Sequence, residues 1–336
     1  MISHVFHRWE RRLAAAAENR TVRPFEWGVD WIPEVTPNGR PYAAELVDWA
    51  DAATAASDDF YTPPDETTYT LDGDRLSFLS AVVTPHPENN TVVCRYFPDG
   101  SVRGRRRAVL VLPQWNSDAE GHVGLCRLLN RFGITALRLS MPYHDTRMPP
   151  ELRRADYIVS ANIGRTAMVC RQAVLDARLA IRWLSGQGYE SIGILGTSLG
   201  SCLSMLTAAH EPLVKAAALN HISPFFADVV WTGLSTEHVR QSLDAHVDLD
   251  TLRRIWMPIS PFPFIERMRT KRTLLVYARY DLTFPIDLSR TLVNEFRRKE
   301  IPHQVAVLPC GHYSTGLTPF KYLDGFTLCR FLNRAL

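Results

Sequence analysis

The chain has 336 residues, 46% of them hydrophobic and 22% charged, the proportions of a globular protein with a sizeable core. Lys and Arg number 38 against 35 Asp and Glu, and the resulting net charge of +3 is too small to point to nucleic acid or an anionic membrane as partner. No stretch approaches the roughly 20 apolar residues of a membrane span. The six cysteines show no metal-ligand spacing, so no metal site is expected. The residues up to Arg23 hold no apolar run of secretory length, and the expected setting is cytoplasmic and reducing.

In chain order, residues 1–66 read as an N-terminal helical extension packed on the core. It comprises an amphipathic helix over 3–19, a Trp- and Pro-bearing stretch over 24–41 and a second helix over 42–56, with Trp27, Trp31 and Trp49 supplying contacts. From Thr67 the pattern turns to short β-rich runs. Strands over 76–83 and 91–97 are separated by the turn signals Pro85, Pro87 and Asn89-Asn90. The apolar run at 108–112 reads as a strand buried on both faces. A strand over 134–139 precedes a helix over 166–184, whose Val174, Ala177, Ile181 and Leu184 share one stripe. A strand over 191–195, a helix over 198–209 and a strand over 214–219 follow. Residues 222–268 interrupt this alternation. Within them, 257–264 alternates Pro with aromatic residues and reads as a stiff extended segment. A strand over 273–278, a helix with Leu288, Leu292 and Phe296 inward, a strand over 304–308 and a helix over 319–336 complete residues 67–336. The fold class is α/β: a mostly parallel, eight-stranded sheet with helices on both faces.

The sharpest local signal is Gly196-Thr197-Ser198-Leu199-Gly200, between an apolar strand and a helix. That context is the one a nucleophile elbow requires. The turn is so tight that residues two positions from the serine approach its backbone, and glycine at 196 and 200 removes the Cβ atoms that would clash. The hydroxyl then stands at a helix N-terminus, where developing negative charge is favoured. A serine needs a base to act as nucleophile. His312 lies just past the strand 304–308, after Gly311, at the same end of the sheet. His144 and His221 also follow strand ends and are placed around the pocket. The carboxylate that would fix the base's tautomer is Asp281, just past the strand 273–278. Gly186-Gln187-Gly188 follows a helix rather than opening one, so no nucleotide site is read there.

The order Ser198, Asp281, His312, with Pro285 four residues after Asp281 and Gly311 before His312, resembles the α/β-hydrolase superfamily over about residues 70–336. Met141-Pro142-Tyr143-His144 and residues 193–200 are similar to its abhydrolase-domain, dienelactone-hydrolase and acetyl-xylan-esterase-like branch. The resemblance implies an α/β-hydrolase fold and an oxyanion hole built from the backbone N–H of Leu199 and that of Trp115, or of Gln114 if the loop is offset by one. Pro113 has no N–H to offer. Two departures stand out. Ser201 occupies a place where many members carry glycine, and Leu112-Pro113-Gln114-Trp115-Asn116 replaces the usual His-Gly. The interruption at 222–268, between the sixth and seventh strands, falls where the superfamily inserts caps. It is expected to form a lid, with Phe225 and Trp231 joining Asn116, His144 and His221 at the substrate pocket.

These residues point to a serine hydrolase that cleaves a small-molecule substrate's carboxylic ester, of whatever acyl length, through an acyl-enzyme and uses no cofactor. Acyl transfer by the same three residues and a non-catalytic binding protein on this fold remain the alternatives.

Overall fold

The computed structural model describes residues 2–16, 19–36, 39–100 and 106–336; residues 17–18, within the expected first helix, lie outside them. Among the described residues, α1 (Ile2–Ala15), α2 (Tyr42–Ala55) and the short α3 (Ser57–Phe60) precede the sheet. Then come β1 (Tyr69–Asp72), β2 (Arg75–Leu79), β3 (Thr91–Phe97), β4 (Arg107–Leu112), α4 (Val123–Arg131), β5 (Thr135–Leu139), α5 (Ile163–Gly186), β6 (Ser191–Thr197), α6 (Leu199–His210) and β7 (Val214–Asn220). The interruption holds α7 (Phe226–Thr232), α8 (Glu237–Leu243) and α9 (Leu249–Ile255). β8 (Arg272–Ala278), α10 (Ile286–Arg298), β9 (His303–Leu308) and α11 (Phe320–Ala335) end the chain.

The strands form one sheet in the order β1-β2-β3-β5-β4-β6-β7-β8-β9. β1, β2 and β3 are antiparallel to their neighbours, and every pair from β5 to β9 is parallel. All eight expected strands are present, and β1 is a ninth. Its four residues sit at the sheet edge, mostly exposed, and so lack the apolar run that marks a strand in sequence.

The inner strands are buried on both faces, and their alternate residues feed two cores. Ala108, Leu110 and Leu112 join the core beneath α5, α6 and α10, while Val109 and Val111 join the core beneath α4 and α11. Trp27, Trp31 and Trp49 all pack against the first core. The backbone of Glu26 and Trp27 is bonded to that of Ala161, Ile163 and Gly164 at the start of α5. Residues 257–264 depart from the extended expectation: turns lead into a 3₁₀ helix over Phe262–Thr270 that starts after Pro261. Proline's fixed φ suits a helix start, where its missing N–H leaves no bond unmade.

Parallel register brings the strand ends together. Leu112 lies beside Gly196, Thr197 beside Asn220, and Ala278 beside Leu308. The segments leaving β4, β6, β7, β8 and β9 therefore emerge at one rim of the sheet.

Candidate active site

Ser198 is the residue between β6 and α6, with φ 58° and ψ −122°. That left-handed φ is strained for a side-chain-bearing residue and has to be held by its surroundings. Two glycines allow it. A Cβ at Gly196 would overlap the Gly200 carbonyl and the Ser204 hydroxyl, and one at Gly200 would overlap the carbonyls of Leu112 and Pro113. The Ser198 N–H donates to Asn220 O at 2.8 Å, tying the turn to the end of β7. Ser201 donates its hydroxyl to Ser198 O and His221 O, so the small polar residue there braces the same turn.

Asp281 follows β8 and is buried. Its Oδ1 accepts the backbone N–H groups of Thr283 and Phe284 at 2.8 and 2.7 Å. Its Oδ2 meets two imidazoles: His312 Nδ1 at 3.0 Å and His221 Nδ1 at 2.7 Å. Burial alone would raise the carboxyl pKa, but the two histidines outweigh it and hold the group well below the usual carboxylate range. An ionised carboxylate only accepts, so both histidines donate Nδ1–H to it, and the neutral form of each then carries its lone pair on Nε2. For His312, burial opposes the charged form, but the Asp281 carboxylate and its hydrogen bond prevail and raise the pKa above the ordinary value. Phe284 stacks flat on the His312 ring, with centroids 5.5 Å apart.

Ser198 and His312 line a single cavity of about 1050 Å³, together with Gln114, Trp115, Asn116 and His221. No hydrogen bond joins the Ser198 hydroxyl to His312; such contacts are often long in enzymes without substrate and tighten in the complex. Among the described residues, neither the Gln114 nor the Trp115 N–H donates a hydrogen bond. Leu199 opens α6, so its N–H has no helical partner. The Asn116 N–H, by contrast, donates to His144 Nε2 at 3.0 Å.

The other residues expected around the pocket lie elsewhere. His144 is 1% exposed behind the β4 loop, where its Nδ1 donates to Pro142 O and its Nε2 holds Asn116. Burial keeps it neutral, with its pKa pushed down to about 4. Phe225 packs on Phe262 and under the Arg253 guanidinium. Trp231 lies beneath Arg240. Neither is among the residues lining the cavity that Ser198 and His312 share; both pack against the inserted segment, because apolar surface is buried where helices meet.

Several residues at the site carried no sequence signal. Glu10, on α1, is fully buried and accepts the N–H groups of Tyr313 and Ser314 at 2.8 and 3.0 Å, gripping the loop just past His312. A Cβ on Gly311 would overlap the Glu10 carboxylate, so that glycine serves close approach. Phe6 on the same helix stacks on Tyr280 at 4.3 Å. Arg20 donates to the Tyr313 hydroxyl at 2.8 Å. His122 caps α4 at φ 68° and pairs its Nε2 with the Thr197 hydroxyl at 2.9 Å, beside the serine.

No protein-family model matches the sequence, and no curated protein matches it. The chain has the α/β-hydrolase fold. It is similar to acetyl xylan esterase from Paenibacillus sp. R4, at 16% identity over 91% of this chain and 98% of that one, with a TM-score of 0.61. Acetyl xylan esterase 1 from Thermoanaerobacterium sp. JW/SL YS485 aligns at 13% identity over 96% and 98% of the two chains, with a TM-score of 0.57. The acylaminoacyl peptidase of Pyrococcus horikoshii aligns at 13% identity and a TM-score of 0.59, over 81% of this chain and only 42% of its own length. No helix among the described residues is long and apolar enough to cross a membrane.

Proposed function

We propose that the protein is a serine hydrolase that cleaves a carboxylic ester through an acyl-enzyme, with Ser198 as nucleophile, His312 as base and Asp281 as the acid that orients the base. One observation carries this reading. A serine held at φ 58° on a strand-to-helix turn opens into the same cavity as an imidazole whose Nδ1 is fixed by a buried carboxylate.

The chemistry follows from those positions. With Nδ1–H committed to Asp281, His312 offers Nε2 to take the Ser198 proton as the hydroxyl attacks the ester carbonyl. The negative charge passes to the carbonyl oxygen, for which the free N–H groups of Leu199 and of Trp115 or Gln114 are the proposed donors. Each such donor contributes about 3 kcal/mol to the transition state. The imidazolium then gives its proton to the departing alkoxide, and Asp281 stabilises that cation. A water deprotonated by the same Nε2 releases the acid and restores Ser198. Two of the structures described above are named as acetyl xylan esterases, which supports ester chemistry for this chain. The cavity suits a small-molecule substrate. All six cysteines are free and buried, in keeping with the proposed cytoplasmic setting.

Hydrolysis of para-nitrophenyl esters of increasing acyl length, by the natural chain and by Ser198→Ala, tests the proposal. Turnover should fall by several orders of magnitude in the variant, and a fluorophosphonate probe should label only the natural chain. Equal turnover by the two proteins would refute it.

A further inference from the structure

The wall of the cavity between the His312 loop and the β4 loop carries an excess of positive charge that the hydrolytic step does not use. Arg154 is 8% exposed and lies over the Trp115 ring at 4.9 Å. Its Nε reaches Asp156 Oδ1 at 3.3 Å, and its Nη1 reaches Asn19 Oδ1 at 3.0 Å. The other oxygen of Asp156 is taken by Arg23 Nε at 3.1 Å. Arg20 stands on the same wall beside Tyr313. Among the described residues it has no carboxylate partner, and its Nε is buried with no hydrogen bond. Arg23 and Arg154 thus share one carboxylate, and Arg20 has none among the described residues.

A buried guanidinium N–H without an acceptor costs free energy that an arriving anion would recover. A second unmet group lies close by. His238, on α8, stacks on Trp115 at 5.9 Å and 5°, and both its ring nitrogens are buried without a partner. Burial, with Arg154 adding to the effect, keeps it neutral, its pKa pushed down to about 4. Arg127, Arg131 and Lys321 also line the cavity, where among the described residues Asp324 supplies the one carboxylate. A substrate entering this space meets a positive field.

We propose that Arg20 and Arg154 form a subsite for an anionic group, a carboxylate or a phosphonate-like oxyanion, carried by the ester substrate away from its scissile bond. The proposal rests on the hydrolase reading and names the substrate class for it. Arg20 lies next to the loop of the base, and Arg154 lies over the tryptophan whose backbone N–H is a proposed oxyanion donor. An anion held there anchors one end of the substrate while its ester carbonyl lies over Ser198. Guanidinium groups suit this task because their planar fork matches carboxylate oxygens in pairs.

The test compares the mono-para-nitrophenyl ester of adipic acid with its methyl-capped, uncharged counterpart, and repeats the pair with suberic acid and with a phosphonate-ended chain. The natural chain should favour the anionic member by about tenfold or more in kcat/KM, and added salt should reduce that preference. The phosphonate arm shows which anion the site favours. Arg20→Gln and Arg154→Gln should each bring the anionic-to-neutral ratio towards one, whatever they do to the absolute rates. Tyr313→Phe removes the hydroxyl that Arg20 holds but no charge, and should keep the ratio. Calorimetric binding of the adipate monoester to Ser198→Ala reads the subsite without catalysis, and adding Arg20→Gln should weaken that binding by the same factor. A ratio at or below one in the natural chain for every acid, or calorimetric binding indifferent to Arg20→Gln, overturns the subsite. If the capped esters are still cleaved in a Ser198-dependent way, the hydrolase reading survives that failure. If no ester is cleaved but the calorimetric difference is found, the hydrolase reading fails and the anion site stands.

Discussion

Replacing Glu10 separates the loop that carries His312 from the helix that grips it. The carboxylate is fully buried and accepts two backbone N–H groups, from Tyr313 at 2.8 Å and Ser314 at 3.0 Å. Hydrogen bonds to a charged group are worth about 1.5–3 kcal/mol each, and Glu10→Ala also strands both donors away from water. The sum for the pair is about 3–6 kcal/mol, and for a domain of this size about 2 °C is lost per kcal/mol, so the melting temperature should fall by roughly 6–12 °C. Glu10→Gln keeps one acceptor oxygen and should cost about half as much. A catalytic consequence accompanies the thermal one. The Glu10 charge is among the influences that raise the His312 pKa, so its removal destabilises the imidazolium. The rise of kcat/KM with pH in Glu10→Gln should therefore be centred at lower pH than in the natural chain. Displacing the loop by an ångström would lower kcat by about a hundredfold. Melting curves and pH-rate profiles on the two variants measure both effects. A lowered melting temperature with an unmoved pH profile and unchanged kcat would refute the positioning role, and an unchanged melting temperature would refute the pairing itself.

Three further outcomes follow from the geometry. In the natural chain kcat/KM should rise with pH as His312 loses its proton, with a midpoint above the ordinary histidine value of about 6.5, because the folded environment raises that pKa; a midpoint below it would contradict the Asp281 pairing. His221 and His312 share Asp281 Oδ2, yet the His312 side chain is 14% exposed against 2% for His221. His312→Asn should therefore abolish turnover, while His221→Asn should lower it by a smaller factor; the reverse order in a steady-state assay would make His221 the base. Gly200→Ala should destabilise the fold by about 3 kcal/mol or more and shift the 113–115 loop, since its methyl group would occupy the space of two carbonyl oxygens. A melting temperature equal to that of the natural chain would show that the turn is looser than described.

The chain by itself determined what depends on neighbours in sequence. Fully buried strands read as short apolar runs, and two glycines around Ser198 read as a turn with no room for Cβ atoms. Asp281 and His312 were legible because each lies just past such a run, and parallel register places those ends at one rim. Tertiary structure decided what depends on groups meeting across the sheet. Glu10 meets Tyr313 from 303 positions away, through backbone N–H groups that every residue possesses, so no side-chain pattern could announce it. Asp281 serves two histidines rather than one because His221, 60 positions away in sequence, also meets its Oδ2. Phe225 and Trp231 were expected at the pocket as aromatics of an inserted lid, but an aromatic ring buries equally well against an inserted helix, and only packing settles which face it takes. The excess charge near Trp115 was likewise hidden, because a count over the whole chain nearly cancels while the cavity wall does not.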